Sequence, residues 1–416
     1  MQQVVSRWRY RLQSLGPGIL MATAAIGGSH LVASTQAGAL FGWQLLWLIL
    51  LVNLLKYPFF RFGVQYTLEQ NESLVEGYLR KGRGYFYSFV LLNVLAAVVN
   101  TAGVLILTAA LLQYALPWHL SLTLLCWLIL ASCLAILLLG HYRALDQVAK
   151  LIMLLLTLTT LLAAAIAVSK GAAAPADFQG PSPWQLAMLG FLVALMGWMP
   201  APIEISAISS LWLKAKLRQQ PLTRAQGLFD FNLGYWLTAA LALVFVALGA
   251  LVQYGSDQPI ALAGAAFAQQ LVEMYGQTIG VWAKPLVSLI AFLCMFGTTL
   301  TVLDGYARTL HESGRLLGWY RADNRRVLPV CLLLQALAGM ALILFFRSAL
   351  SPMLTFAMTL AFLTTPIFAW LNFSLLRGNS ARPLAPWLQV LSWLGLAYLF
   401  GFAVLYLAWY SGFLNS

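Results

Sequence analysis

Charge is what this sequence has least of. Asp, Glu, Lys and Arg together make up 9% of the 416 residues, against roughly a quarter in an ordinary soluble domain. That shortfall excludes a water-facing enzyme surface. The four cysteines, Cys126, Cys133, Cys294 and Cys331, sit inside apolar runs with neither CxxC nor Cys/His spacing. They read as small buried hydrophobes, not as a disulfide framework or a zinc site. No Gly-rich nucleotide loop occurs, and no nucleophile, base and orienting acid share a plausible site, so no enzyme and no cofactor is expected. A cleavable signal peptide is not expected either. Arg7, Arg9 and Arg11 lead into a long apolar run without a small-residue cleavage site.

What is present is apolar length. Hydrophobic residues reach 61%, mean hydropathy is +0.82, and runs of about 20 residues recur, each long enough to cross a bilayer. This is the pattern of an all-α polytopic membrane protein. The net charge of +12 is accounted for by loop residues that orient the chain and meet anionic lipid, and no nucleic-acid motif competes with that. Eleven spans are expected, at 17–39, 42–63, 85–115, 119–140, 147–169, 184–211, 228–253, 281–305, 327–346, 352–376 and 385–412. With the N-terminus cytoplasmic and the C-terminus external, 20 Lys and Arg fall inside and 3 outside, with Lys56 left within a span. The asymmetry supports that orientation in a cell membrane. Segments 68–81 and 262–276 read as amphipathic surface helices.

The first span contains an interruption. Gly27-Gly28-Ser29-His30 is flexible and polar where lipid tolerates neither, and an unwound turn survives there only if buried in protein or facing a polar cavity. The sixth span is interrupted by Pro200 and Pro202 in "LMGWMPAPIEISAISS", because proline cannot donate to the helix ladder. Spans one and six are corresponding members of a five-plus-five repeat. Paired breaks of this kind mark an inverted-repeat secondary transporter with its substrate at the midplane.

The residues at these breaks resemble the Nramp divalent-metal transporters. "GPGILMATAAIGGSHLVASTQAGALFGW" is similar to their first span, and "MGWMPAPIEIS" resembles their sixth-span Met-Pro-His motif. The resemblance covers essentially the whole chain. It implies a LeuT-type fold with a 5+5 inverted repeat plus an eleventh transmembrane helix, in a single transport domain over 1–416, working by alternating access. It also implies a substrate site at Gly27, Gly28, Ser29, His30, Met196, Met199, Pro200 and Ala201. The departures are as informative. Gly27 stands where the family has its metal-binding Asp, His30 where it has Asn, and Ala201 where it has the motif His. Met199 is retained, and the carbonyl that the family uses falls at Met196. The third span, "NVLAAVVNTAGVLILTAALL", lacks the acids that serve proton transfer in the family.

A dication loses more hydration at the midplane than a thioether and a carbonyl return. Helix N-termini at the gap favour an anion, and the half-helix C-termini oppose it. A small anion such as bicarbonate is therefore the first reading of the cargo. The alternative is a manganese or magnesium transporter with a site rebuilt from His30, Met199 and Glu204, and a third is a non-transporting sensor or scaffold. Lys56 reads as a snorkelling residue or as a source of positive potential. Glu204 reads as a helix N-cap or as a proton carrier. His30 reads as a coupling group or as a structural histidine, and the coupling ion is H+ or Na+. Asp230 and Asp304 are expected to pair with loop arginines such as Arg308. Ser29, Ser206, Thr101 and Asn100 could donate hydrogen bonds to the cargo or to the backbone.

Overall fold

The computed structural model describes residues 15–413 except 119, 141, 176, 257–263, 322–323, 325, 348 and 380–382. Arg7, Arg9, Arg11, Arg325, Arg382 and the first two residues of the 262–276 segment lie outside the described residues. In hydrocarbon every backbone N–H and C=O must be paired within its own segment, so apolar runs of this length fold as helices. No strand occurs among the described residues.

The first span is two helices, α1 (Pro17–Ala25) and α2 (Ser29–Phe41), bent by 50° at their junction. Then come α3 (Leu46–Gln70), α4 (Leu74–Lys81), α5 (Arg83–Ala115), α6 (Leu122–Leu138) and α7 (Tyr142–Lys170). The second half opens with another divided element, α8 (Leu186–Trp198) and α9 (Ile205–Gln219). It continues through α10 (Arg224–Gln253), α11 (Gly264–Ile279), α12 (Ala283–Leu316), α13 (Val327–Phe345), α14 (Leu350–Asn379) and α15 (Pro386–Tyr410). Eight of these helices are long and apolar enough to cross a membrane, and the bent α1–α2 pair makes nine. The shorter apolar helices α6 and α8 coincide with the fourth span and the first half of the sixth. The protein is an integral multi-pass membrane protein. Leu91 and Phe345, 72% and 78% exposed, face outward where acyl chains would lie.

Two boundaries differ most from the sequence reading. The second span runs on to Gln70, and Asn71, at φ 55°, turns the chain so that the surface helix begins only at Leu74. Ser73 and Glu76 then close a capping box on α4. The eighth span extends well past residue 305 to Leu316, its last turns carrying the ion pairs Arg308–Asp304 and Arg315–Glu312.

Small residues let the breaks be held closely. A Cβ on Gly18 would fall 2.2 Å from the Asp230 carbonyl oxygen, and one on Gly38 2.1 Å from that of Val246, so α1 and α2 lie directly against the α10 backbone. Asp230 does not wait for a loop arginine alone. Its carboxylate accepts from the Gly16 and Gly18 N–H groups and caps the start of α1 from across the bundle. Asp304 behaves as expected, pairing with Arg308, and also accepts from Trp212 Nε1. All four cysteines are free thiols, and Cys126, Cys133 and Cys294 are buried.

Candidate functional site

The two breaks meet at a small internal cavity of about 30 Å3, room for roughly two water-sized groups. Its wall combines the end of α1 (Ala24, Ala25), the start of α2 (Gly28, Ser29) and the break before α9 (Ala201, Pro202). Trp198, Ile205, Asn100 and Val104 complete it with Thr298, Val302 and Tyr306 of α12. A π turn over Ser29–Ser34 opens α2. That irregularity sets Ser29 where its hydroxyl reaches the Ala25 carbonyl at 2.7 Å and faces the Pro200 carbonyl at 3.4 Å. Ser29 Oγ thereby stands between the two breaks.

Gly28, Ser29 and Ala201 thus line the cavity, while Gly27, His30, Met196, Met199 and Pro200 stand behind it. His30 is fully buried and turned into α10. Its Nε2 lies 2.9 Å from the Thr238 carbonyl, which can only accept, so the proton is assigned to Nε2. Nδ1 lies 2.6 Å from Ser29 Oγ. Met196 and Met199 are both at 0% exposure. The glycines are tightly enclosed: a Cβ on Gly27 would stand 3.0 Å from Thr298 Oγ1 and 3.1 Å from Met295 Sδ, and one on Gly28 2.3 Å from the Trp198 ring. Among the described residues, no group of three or more His, Cys, Asp or Glu is placed to hold a metal ion.

Little of the cavity's polar wall is legible in the sequence. Trp198 Nε1 donates to Asn100 Oδ1 at 3.0 Å, and Asn100 Nδ2 approaches Tyr306 Oη at 2.9 Å and Glu204 Oε1 at 3.3 Å. Tyr306 donates to the same Glu204 oxygen at 3.0 Å. The third and eighth spans are thus joined to the second break through one carboxylate. Tyr306, Trp198 and Thr298 look in sequence like any other span residues, and of this wall only Ser29 and Asn100 stand out as possible donors. Ser206 and Thr101 instead accept from Asn372 and Gln335 and knit spans together.

Two expectations are corrected. Glu204 occupies the N-cap position of α9 but makes no capping bond, because its carboxylate is drawn to Asn100 and Tyr306. Its other oxygen, Oε2, is buried without a partner. Lys56 does not snorkel. It is at 0% exposure, and its ammonium donates to the Met196 and Gly197 carbonyls at 2.7 and 3.1 Å. Those carbonyls belong to the last turn of α8, which lacks intrahelical donors. The ammonium thus sits on the carbonyl that the Nramp resemblance assigns to the metal. The other exposed C-terminus, that of α1, is also covered: Thr298 Oγ1 lies 3.1 Å from the Thr23 carbonyl and 3.2 Å from that of Ile26, which Cys294 also approaches.

At one end of the bundle, α4 is latched to α9 and α12. Glu76 pairs with Lys214 and with Arg315, which also holds Glu312. These residues surround a second cavity of about 330 Å3 with Arg218, Arg308 and His311.

No family model matches the sequence. The chain is similar in three dimensions to a single-residue variant of the manganese transporter of Eremococcus coleocola, with a TM-score of 0.68, 16% identity, and 98% and 89% of the two chains covered. It is also similar to MhsT in complex with L-phenylalanine, with a TM-score of 0.64, 13% identity, and 93% and 98% covered. These likenesses establish the LeuT-type fold. In sequence it is 52% identical to the uncharacterized protein PM0681 of Pasteurella multocida over 413 residues, 99% of this chain and 95% of that one. This chain therefore belongs to the family of PM0681.

Proposed function

We propose that the protein is a secondary active transporter working by alternating access, and that its cargo is a small inorganic anion, with bicarbonate the best match. The observation that carries this reading is Lys56 on the Met196 and Gly197 carbonyls. At the gap two helix C-termini, which favour cations, oppose two N-termini, which favour anions. Lys56 neutralises one C-terminus, and Thr298 with Cys294 covers the other. The N-terminal ends at Gly28–Ser29 and Pro202–Ile205 remain facing the cavity. A dication at the Met196 carbonyl would meet an ammonium in a low-dielectric interior. The cavity wall is built of hydroxyl, indole and amide groups that would exchange a partner within the protein for the ion, and its volume suits an ion of a few atoms rather than an amino acid. In the bilayer the basic end of the bundle, with Lys214, Arg218 and Arg315, faces the cytoplasm.

The similarity to a manganese transporter keeps a divalent cation as the rival cargo. Isothermal titration of the purified protein separates the two. Bicarbonate is expected to give a saturable heat and manganese none; saturable manganese binding with no bicarbonate binding would overturn the proposal.

A further inference from the structure

We infer that Glu204 is the proton-carrying group of this transporter, and that one proton taken up there is required for each anion bound. The inference rests on the anion reading above. Glu204 is 1% exposed, and its two oxygens differ. Oε1 accepts from Tyr306 and Asn100, both of which line the cavity, whereas Oε2 is buried with no partner. A buried ionised oxygen left without a donor is costly, and protonation removes the charge that makes it so. The carboxyl is thus in contact with the cavity wall while its free oxygen is available to a proton.

The charged and titratable groups around it fix the consequence. Lys56 on α3 is within electrostatic reach of Glu204, and Tyr306 on α12 donates to it. Asp304, one turn away on α12, is occupied by Arg308 and Trp212. His30 on α2 is held by Thr238 and Ser29, and α5 contributes the neutral Asn100. With Glu204 ionised, Lys56 and Glu204 cancel. When a proton binds, the Lys56 charge is left uncompensated beside the cavity, and a monovalent anion restores neutrality. The empty site and the site holding both proton and anion carry no net charge. The two half-loaded forms do, and moving them through the membrane interior is disfavoured. Proton and anion therefore bind with reciprocal linkage and cross together.

The test is titration of the full-length protein with bicarbonate, counted as HCO3− at each pH, in two buffers of different ionisation heat. Above a midpoint the wild type is expected to take up one proton per anion, with Kd weakening up to tenfold per pH unit, and below it to bind with no uptake and a constant Kd. Tyr306→Phe, which removes a donor to the carboxylate, should raise that midpoint, and Glu204→Gln should make binding independent of pH with no proton uptake. Bicarbonate binding by the wild type that is independent of pH, or a pH dependence that survives in Glu204→Gln, would overturn the inference and leave the anion reading standing. Absence of bicarbonate binding in every protein at every pH would instead remove the anion reading itself.

Discussion

Lys56 shows how one buried charge can set the character of a site. An ammonium is tolerated at 0% exposure because two unpaired helix-terminal carbonyls receive it, and in holding them it covers the negative end of a helix with a positive group. Removing that charge at an effective dielectric of about 20 and a separation of about 8 Å is worth on the order of 2 kcal/mol to a nearby anion. Lys56→Met is therefore expected to weaken bicarbonate binding by about thirtyfold in a calorimetric titration. Gly28 makes the complementary point about shape. Its Cβ would stand 2.3 Å from the Trp198 ring, so Gly28→Ala must displace the indole and its bond to Asn100. Uptake by this variant should fall more than tenfold while its elution profile in detergent stays that of the wild type.

Among the helices, both breaks lie where the function is proposed. Proline and the Gly-Gly pair made both breaks legible in the sequence, because lipid forbids unpaired backbone unless a polar wall receives it. The wall was legible only at Ser29 and Asn100. Asn100, Trp198, Thr298 and Tyr306 come from three separate elements, and only packing brings them together. Glu204 was read as a cap from its position in the first turn, and a local rule could not anticipate that Asn100 and Tyr306 would compete for it. The latch at α4 is another long-range product. Burial alone would push the Glu76 carboxyl up, but hydrogen bonds from Lys214 and Ser73 and the Lys214 charge outweigh it and hold the group below its usual 4.5. A lowered folded-state value means that the stabilisation is fully present above about pH 4.5 and is lost as pH falls through that lowered value. Glu76→Gln should lower the melting temperature at pH 7, and the gap to the wild type should hold down to about pH 4.5 and close only as the pH falls further, through the lowered value. An unchanged gap would show that the latch contributes nothing through ionisation.

For the whole molecule, the fold was legible almost throughout, because hydropathy and paired breaks are properties of long segments. The errors fell at helix ends, at Gln70 and Leu316, where capping and ion pairs extend or stop a helix beyond its apolar stretch. In the proposed reading the sign of the cargo is a property of the assembled bundle, set by which half-helix ends are covered and which remain. Its most direct test is parallel uptake of labelled bicarbonate and of manganese into one preparation of proteoliposomes, with protein-free liposomes measuring carbon dioxide leak. Protein-dependent bicarbonate uptake without manganese uptake is the predicted result, and robust manganese flux with bicarbonate at the protein-free level would contradict it.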